Sequence, residues 1–121
     1  MSAPDYVART VRAYLECALW SSTGEDGEPL DRLYSVEDFA PESVARARAE
    51  VAAFEDANAD DLASVTREQT GHDLWLTRNW HGTGFWDRGH PDDVGKRLTD
   101  AAQALGECDA YVGDDGRVYL G

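Results

Sequence analysis

The sequence predicts a mainly α domain, α+β in class: about four helices packed around an aromatic, glycine-containing loop and closed by a C-terminal β-hairpin. Three observations predict it. Apolar residues recur at three- and four-residue spacing in several segments. A threonine and a glutamine stand in capping-box spacing at Thr66 and Gln69, ahead of one of those segments. Finally, the runs 108–112 and 117–120 flank Gly113-Asp114-Asp115-Gly116, residues that tolerate left-handed backbone in a tight turn.

The elements follow in order. Val7, Val11, Tyr14, Leu15, Ala18 and Leu19 form one apolar face over residues 4–20, with Arg9, Arg12 and Glu16 directed elsewhere. Pro4 fits the first turn, where an N–H has no helical partner, and Ser2 fits the N-cap. Tyr6 and Tyr14 are read as packing residues rather than cofactor contacts. Residues 21–34 form a polar loop with Glu25, Asp26, Glu28 and Asp31. Their spacing lacks the alternating oxygens and closing glutamate of an EF-hand, so a solvated loop is expected. Ser35 and Asp38 cap a short turn, and Pro41 opens a second helix with Val44, Ala47, Val51 and Phe54 inward, extended by Ala40 and Ala57. Glu42, Arg46 and Glu50 lie four apart on its other side and are expected on the surface.

The helical pattern continues or breaks near Asp60, where Asp56, Asp60 and Asp61 make a second acidic cluster. From Thr66 a third long helix runs to about Asn79, in competition with a strand over 72–78 in which Leu74 and Leu76 alternate with Asp73 and Trp75. Gly82 and Gly84 make 80–91 a loop, with Phe85 and Trp86 tucked back on the core. Pro91 or Asp92 opens the last helix, whose face is Val94, Leu98, Ala101, Ala102 and Leu105 and which ends at Gly106.

Composition bounds the function. The 121 residues suffice for one domain with its own core. The formal net charge is −13, from 24 acidic and 11 basic side chains. Direct nucleic-acid binding is disfavoured, since that affinity comes from neutralising phosphates, and an anionic membrane is disfavoured for the same reason. A basic partner, or a cation, is favoured. Cys17 and Cys108 stand in no zinc or dithiol spacing and read as buried thiols. With no signal peptide or long apolar run, a cytoplasmic setting is expected.

The segment 71–89, GHDLWLTRNWHGTGFWDRG, holds three of the four tryptophans and two of the three histidines. His72, His81 and His90 with Asp73 and Asp87 have the residue types of an acid–base or metal site, but their spacing fits no ligand motif. No serine or cysteine stands in a nucleophile motif, and Gly82-x-Gly84 lacks the lysine and the strand-to-helix context of a phosphate loop. No catalytic residue, metal or cofactor is therefore assigned. Trp75 and Phe85 read as core. Arg78, Asn79, Trp80, His81, Asp87 and Arg88 are the candidate binding residues, being of types enriched at interface hot spots or placed at the helix exit beside them.

The strings GHDLWLTRNWHGTGFWDRG and YVGDDGRVYLG, with YLECALWSST, GEPLD and APES upstream, resemble a family of small acidic proteins of bacteriophages and related mobile elements. Its members typically carry GHDFWLTRNGHGAGFWDRG and a YVGDDG-like ending. The chain departs from that pattern at Trp80, where the family commonly has glycine, and at His90-Pro91, so the helix exit is expected to differ. The resemblance implies a phage or prophage accessory protein without an assigned reaction, working in the cytoplasm of the infected bacterium. The leading expectation is binding to a host protein, in concrete form inhibition of a basic defence or nucleic-acid-binding factor. The alternatives are a small enzyme or ligand- or metal-binding domain built on 72–88, and a structural or assembly accessory. Oligomeric state stays open.

Overall fold

The computed structural model describes the backbone from Asp5 and side chains from Arg9 onward. Ser2 and Pro4, and the side chains of Tyr6 and Val7, lie outside the described residues. Helix α1 spans Asp5–Ser21, α2 Pro41–Ala57, α3 the single turn Ala59–Leu62, α4 Arg67–Arg78 and α5 Asp92–Gln103. Strands β1, Ala110–Val112, and β2, Val118–Leu120, follow, and short 3₁₀ turns occupy Leu30–Arg32, Val36–Asp38 and Phe85–Asp87. The mainly α class with a C-terminal hairpin is what the periodicities predict. The competing strand over 72–78 is absent.

Helix α1 is the central element. Val11, Tyr14, Leu15, Ala18 and Leu19 are buried as expected, and Ala13 and Cys17 are buried as well, so both flanks of the helix are covered. Among its described side chains only the stripe Arg9, Arg12, Glu16 and Trp20 faces out. Helix α4 packs along one flank at close range, and Gly71 makes the approach fit. A Cβ there would run into the Thr10 carbonyl and stand 2.8 Å from the Tyr14 nitrogen. A glycine inside a helix costs roughly 1 kcal/mol in propensity; here the contact between two helix backbones offsets it.

Local capping acts where the residues allow it. The Thr66 hydroxyl accepts the Gln69 N–H at 3.1 Å, starting α4, and the Asp38 carboxylate accepts the Ser35 N–H at 2.8 Å. Pro41 occupies the first turn of α2. Asn58 ends that helix, its amide donating to the Phe54 carbonyl, and the chain re-enters helix for one turn. Phe54 stacks on Phe85 at 5.6 Å and Tyr14 meets Trp75 edge-on at 5.3 Å, joining α2, the 85–87 turn, α1 and α4 in one core.

The hairpin pairs Ala110 with Leu120, Tyr111 with Tyr119 and Val112 with Val118. Ala110, Val118 and Leu120 are buried, while Tyr111 and Tyr119 stack on the outer face at 5.9 Å. On its far side β2 is tied to the entrance of α2, where the Ala40 N–H donates to the Val118 carbonyl at 2.8 Å. No helix among the described residues is long and apolar enough to cross a membrane.

Three expectations are corrected. Ala57 does not extend the inward face of α2 but is exposed at its end. Glu50 is not a surface residue of α2: it is turned inward, 23 % exposed, to meet Arg78 at 2.8 Å. Trp86 is not tucked into the core but 54 % exposed; Phe85 alone fills the space beside Phe54.

The burial of Glu55 gives the fold a pH dependence. It is 6 % exposed, and its Oε2 accepts from Arg67 at 2.8 Å and from the Thr10 hydroxyl at 3.3 Å. Burial raises its pKa above the ordinary carboxyl value despite these partners. An acid with a raised folded pKa holds its proton more tightly when folded, so its contribution is fullest at low pH and declines as pH rises through the carboxylate range. The stability of Glu55→Gln relative to wild type is therefore expected to improve between about pH 4 and about pH 7. Urea unfolding across that range checks it; a constant or oppositely sloped difference would refute the assignment.

Candidate functional site

The segment 71–89 is placed by α4 and by the loop that folds back over its end. Its polar residues fall into two groups, those bound within the fold and those turned to solvent.

Arg78 belongs to the first group. It is fully buried, and its guanidinium donates to the Leu105 carbonyl at 3.1 Å, the Gly106 carbonyl at 2.8 Å, the Tyr14 hydroxyl at 2.9 Å and Glu50 at 2.8 Å. One cation thus caps the carbonyls just beyond α5 while fastening α4 to α1 and α2. Burial works to lower the Arg78 pKa, but Tyr14 and Glu50 more than offset it and the net shift is upward. Burial pushes the Tyr14 phenol up, against the pull of Arg78. Arg78 therefore offers no surface to a partner.

Asp73 is buried too. Arg88 grips it with Nη2 at 2.9 Å and Nε at 3.1 Å, and the Gln69 amide donates at 2.9 Å. Arg88, expected at the binding face, is a third exposed, and its main partner is this carboxylate fifteen residues upstream, with Asp87 at 3.9 Å. Asp87 accepts from the Gly84 N–H at 3.0 Å and the Thr83 hydroxyl at 2.8 Å, which hold its carboxyl below the usual range. The Phe85 N–H donates to the Thr77 hydroxyl, and Gly84 presses so closely on that side chain that no Cβ would fit. Asn79 joins helix to hairpin: its Nδ2 donates to the Trp75 carbonyl at 3.0 Å and its Oδ1 accepts the Cys108 N–H at 2.7 Å.

His72, Trp80 and His81 make up the second group, all exposed, and Asp87 and Arg88, though hydrogen-bonded within the fold, also reach the surface. Trp80 is 64 % exposed and has φ of 59°, the only positive φ at a residue other than glycine among the described residues. Its N–H donates to Thr77 and the His81 N–H to Leu76. This is the double-bonded helix ending whose left-handed position glycine normally fills. Trp80 thus keeps a glycine-type exit at a conformational cost. Trp80→Gly is expected to raise stability by about 1 kcal/mol, since left-handed backbone costs an L-residue roughly 1–2 kcal/mol. Urea unfolding would read this, and a loss of stability would mean that the indole packs on the fold.

The histidines do not converge. His72 borders a depression with Arg12, Glu16 and Trp20, whereas His81 borders another with Ser21, Trp75, Asn79 and Cys108. Among the described residues no three His, Cys, Asp or Glu side chains are grouped to hold a metal ion. Both cysteines are free and buried; burial, with Asp73 nearby, pushes the Cys17 thiol up to about 12.

Several exposed apolar residues escaped the sequence reading: Leu33 at 73 %, Trp20 at 60 % and Tyr111 at 49 %. Alternation along 110–112 marks Tyr111 as outward, but nothing local in the 21–34 loop marks Leu33. That loop is also more ordered than its composition suggests. Leu30 N–H donates to Ser22 and Gly24 N–H to Glu28, folding it into a small hairpin whose carboxylates at 25, 26, 28 and 31 stay exposed.

No family model, curated protein or solved structure matches the chain.

Proposed function

We propose that this protein is a phage-type accessory protein that works by binding a basic protein of the bacterial host, in concrete form a defence or nucleic-acid-binding factor. The observation that carries the reading is the distribution of charge. Nine of the eleven basic side chains stand in ion pairs with the protein's own carboxylates, among them Arg9 with Glu68, Arg67 with Glu55, Arg78 with Glu50, Arg88 with Asp73 and Arg97 with Asp61. Glu25, Asp26, Asp56 and Asp60 stay exposed, and the net charge of −13 is carried outward. A surface of that kind attracts a cationic partner over distances near the Debye length, about 8 Å at physiological ionic strength. The resemblance of 71–89 and 111–121 to mobile-element proteins supplies the setting.

Affinity capture from host lysate with the tagged full chain tests this. A specific partner is expected at about 0.05 M salt and is expected to be released by about 0.5 M, as screening shortens the field. Absence of any specific partner at both would refute the reading.

A further inference from the structure

Hydrogen bonding in the hairpin is alternate. Residues 109 and 121 exchange both backbone bonds, and the Gly113 N–H donates to Arg117. With the register of Tyr111 on Tyr119, residues 109, 111 and 113 therefore face β2, and the N–H and C=O groups of Ala110 and Val112 point the other way. No third strand lies beside β1 among the described residues. Its free edge borders two open depressions, of ≈ 530 and ≈ 470 Å³, that share Thr23 and Tyr111 and separate β1 from the 21–30 loop. Leu30, Leu33, Tyr34 and Val112 supply apolar surface at one end. Glu25, Asp26, Glu28 and Asp114 border that end and Glu107 and Asp109 the other, and no lysine or arginine lines either depression.

We propose that this groove binds an extended basic peptide segment of the partner, which adds to the free edge of β1 as a third strand. Two residues of the segment exchange backbone hydrogen bonds with Ala110 and Val112. Its apolar side chains settle against Leu33 and Val112, and its lysines or arginines meet the carboxylates on the rim. Strand addition derives affinity from the main chain and selectivity from what flanks it. An unguarded strand edge invites self-association. Here two copies pairing edge to edge would bring the same carboxylates together, which favours a cationic occupant over a second copy. The inference rests on the acidic-binding reading above, and names the place and the chemistry.

The test uses the ¹⁵N-labelled full chain and a nine-residue capped peptide of alternating lysine and valine. Saturable binding is expected, with amide exchange at Ala110 and Val112 slowed at least about tenfold and Tyr111, already bonded to β2, little changed. Val112→Pro removes an outward N–H that β2 does not use, a substitution an edge strand tolerates; it is expected to keep the unfolding transition and weaken the peptide at least about tenfold. N-methylating the peptide at alternate residues along one edge probes the same bonds from the other side, and is expected to abolish protection for one of the two phases. Equal binding by both N-methylated peptides would overturn the proposal, as would equal binding by folded Val112→Pro, or a peptide-free chain that is already dimeric with Ala110 and Val112 protected. A cellular partner captured equally by wild type and Val112→Pro would overturn the edge assignment and leave the acidic-binding reading standing. Peptide protection at Ala110 and Val112 with no cellular partner captured would do the reverse.

Discussion

Arg78→Ala is expected to cause the largest loss of stability of any single polar substitution in this protein, about 3–5 kcal/mol, the range for removing one partner of a buried ion pair. The size follows from what is stranded. Glu50 is left with Arg46 at 3.6 Å, the Tyr14 hydroxyl is buried without its donor, and the Leu105 and Gly106 carbonyls beyond α5 lose theirs. Each unmet buried polar group costs about 1–3 kcal/mol. Against a total of roughly 5–15 kcal/mol for a domain, the variant unfolds well below the wild-type temperature or fails to fold. Arg78→Lys separates charge from geometry. An ammonium is a single point that cannot reach four acceptors spread over three elements, so most of the loss is expected to persist. Thermal and urea unfolding measure both variants; a lysine variant equal to wild type would show that charge alone matters.

Arg88→Ala is expected to come close behind, again at about 3–5 kcal/mol, by leaving Asp73 buried with only the Gln69 amide to satisfy it. A second substitution identifies the cause. Adding Asp73→Asn removes the stranded charge while keeping an acceptor for Gln69, and the double variant is expected to recover much of the loss. If the double variant is no more stable than Arg88→Ala, the damage comes from lost packing of the arginine stem and not from the carboxylate. Because Arg88 ties the 80–91 loop to α4, the single variant is also expected to speed amide exchange around Phe85.

The helices were legible because their signals are local. Spacing gives the buried faces of α1 and α5, Thr66 with Gln69 starts α4, and Gly113 to Gly116 turns the hairpin. Trp75 and Phe85 were recognised as core from size and context. The candidate site was legible only in part. Trp80 and His81 stand exposed where a helix exit was expected, Asp87 and Arg88 reach the surface while hydrogen-bonding within the fold, Asn79 is half-buried and Arg78 is fully buried. Arg78 finds its partners 27 to 64 residues away, Asn79 reaches 29 residues to Cys108 and Arg88 fifteen to Asp73, whereas Asp87 binds Thr83 and Gly84 close by. Residue type marks an arginine as able to bind a carboxylate, and cannot say whether that carboxylate belongs to the protein or to a partner. Glu50 shows the converse: four-residue spacing suggests an exposed ion pair, while the buried guanidinium it serves lies on another helix. Gly71 carried a local signal that went unread, a glycine inside a strong helical pattern, and its reason is the backbone of α1.

By itself the sequence determined the helices, the hairpin and the negative charge, because backbone propensity, apolar spacing and ionisable groups are properties of neighbouring residues. Only the tertiary structure decided which polar groups of 71–89 are consumed in the fold and which strand edge is left open. Those outcomes depend on distances between residues far apart in the chain, and on the burial that turns a surface arginine into the pin between three helices.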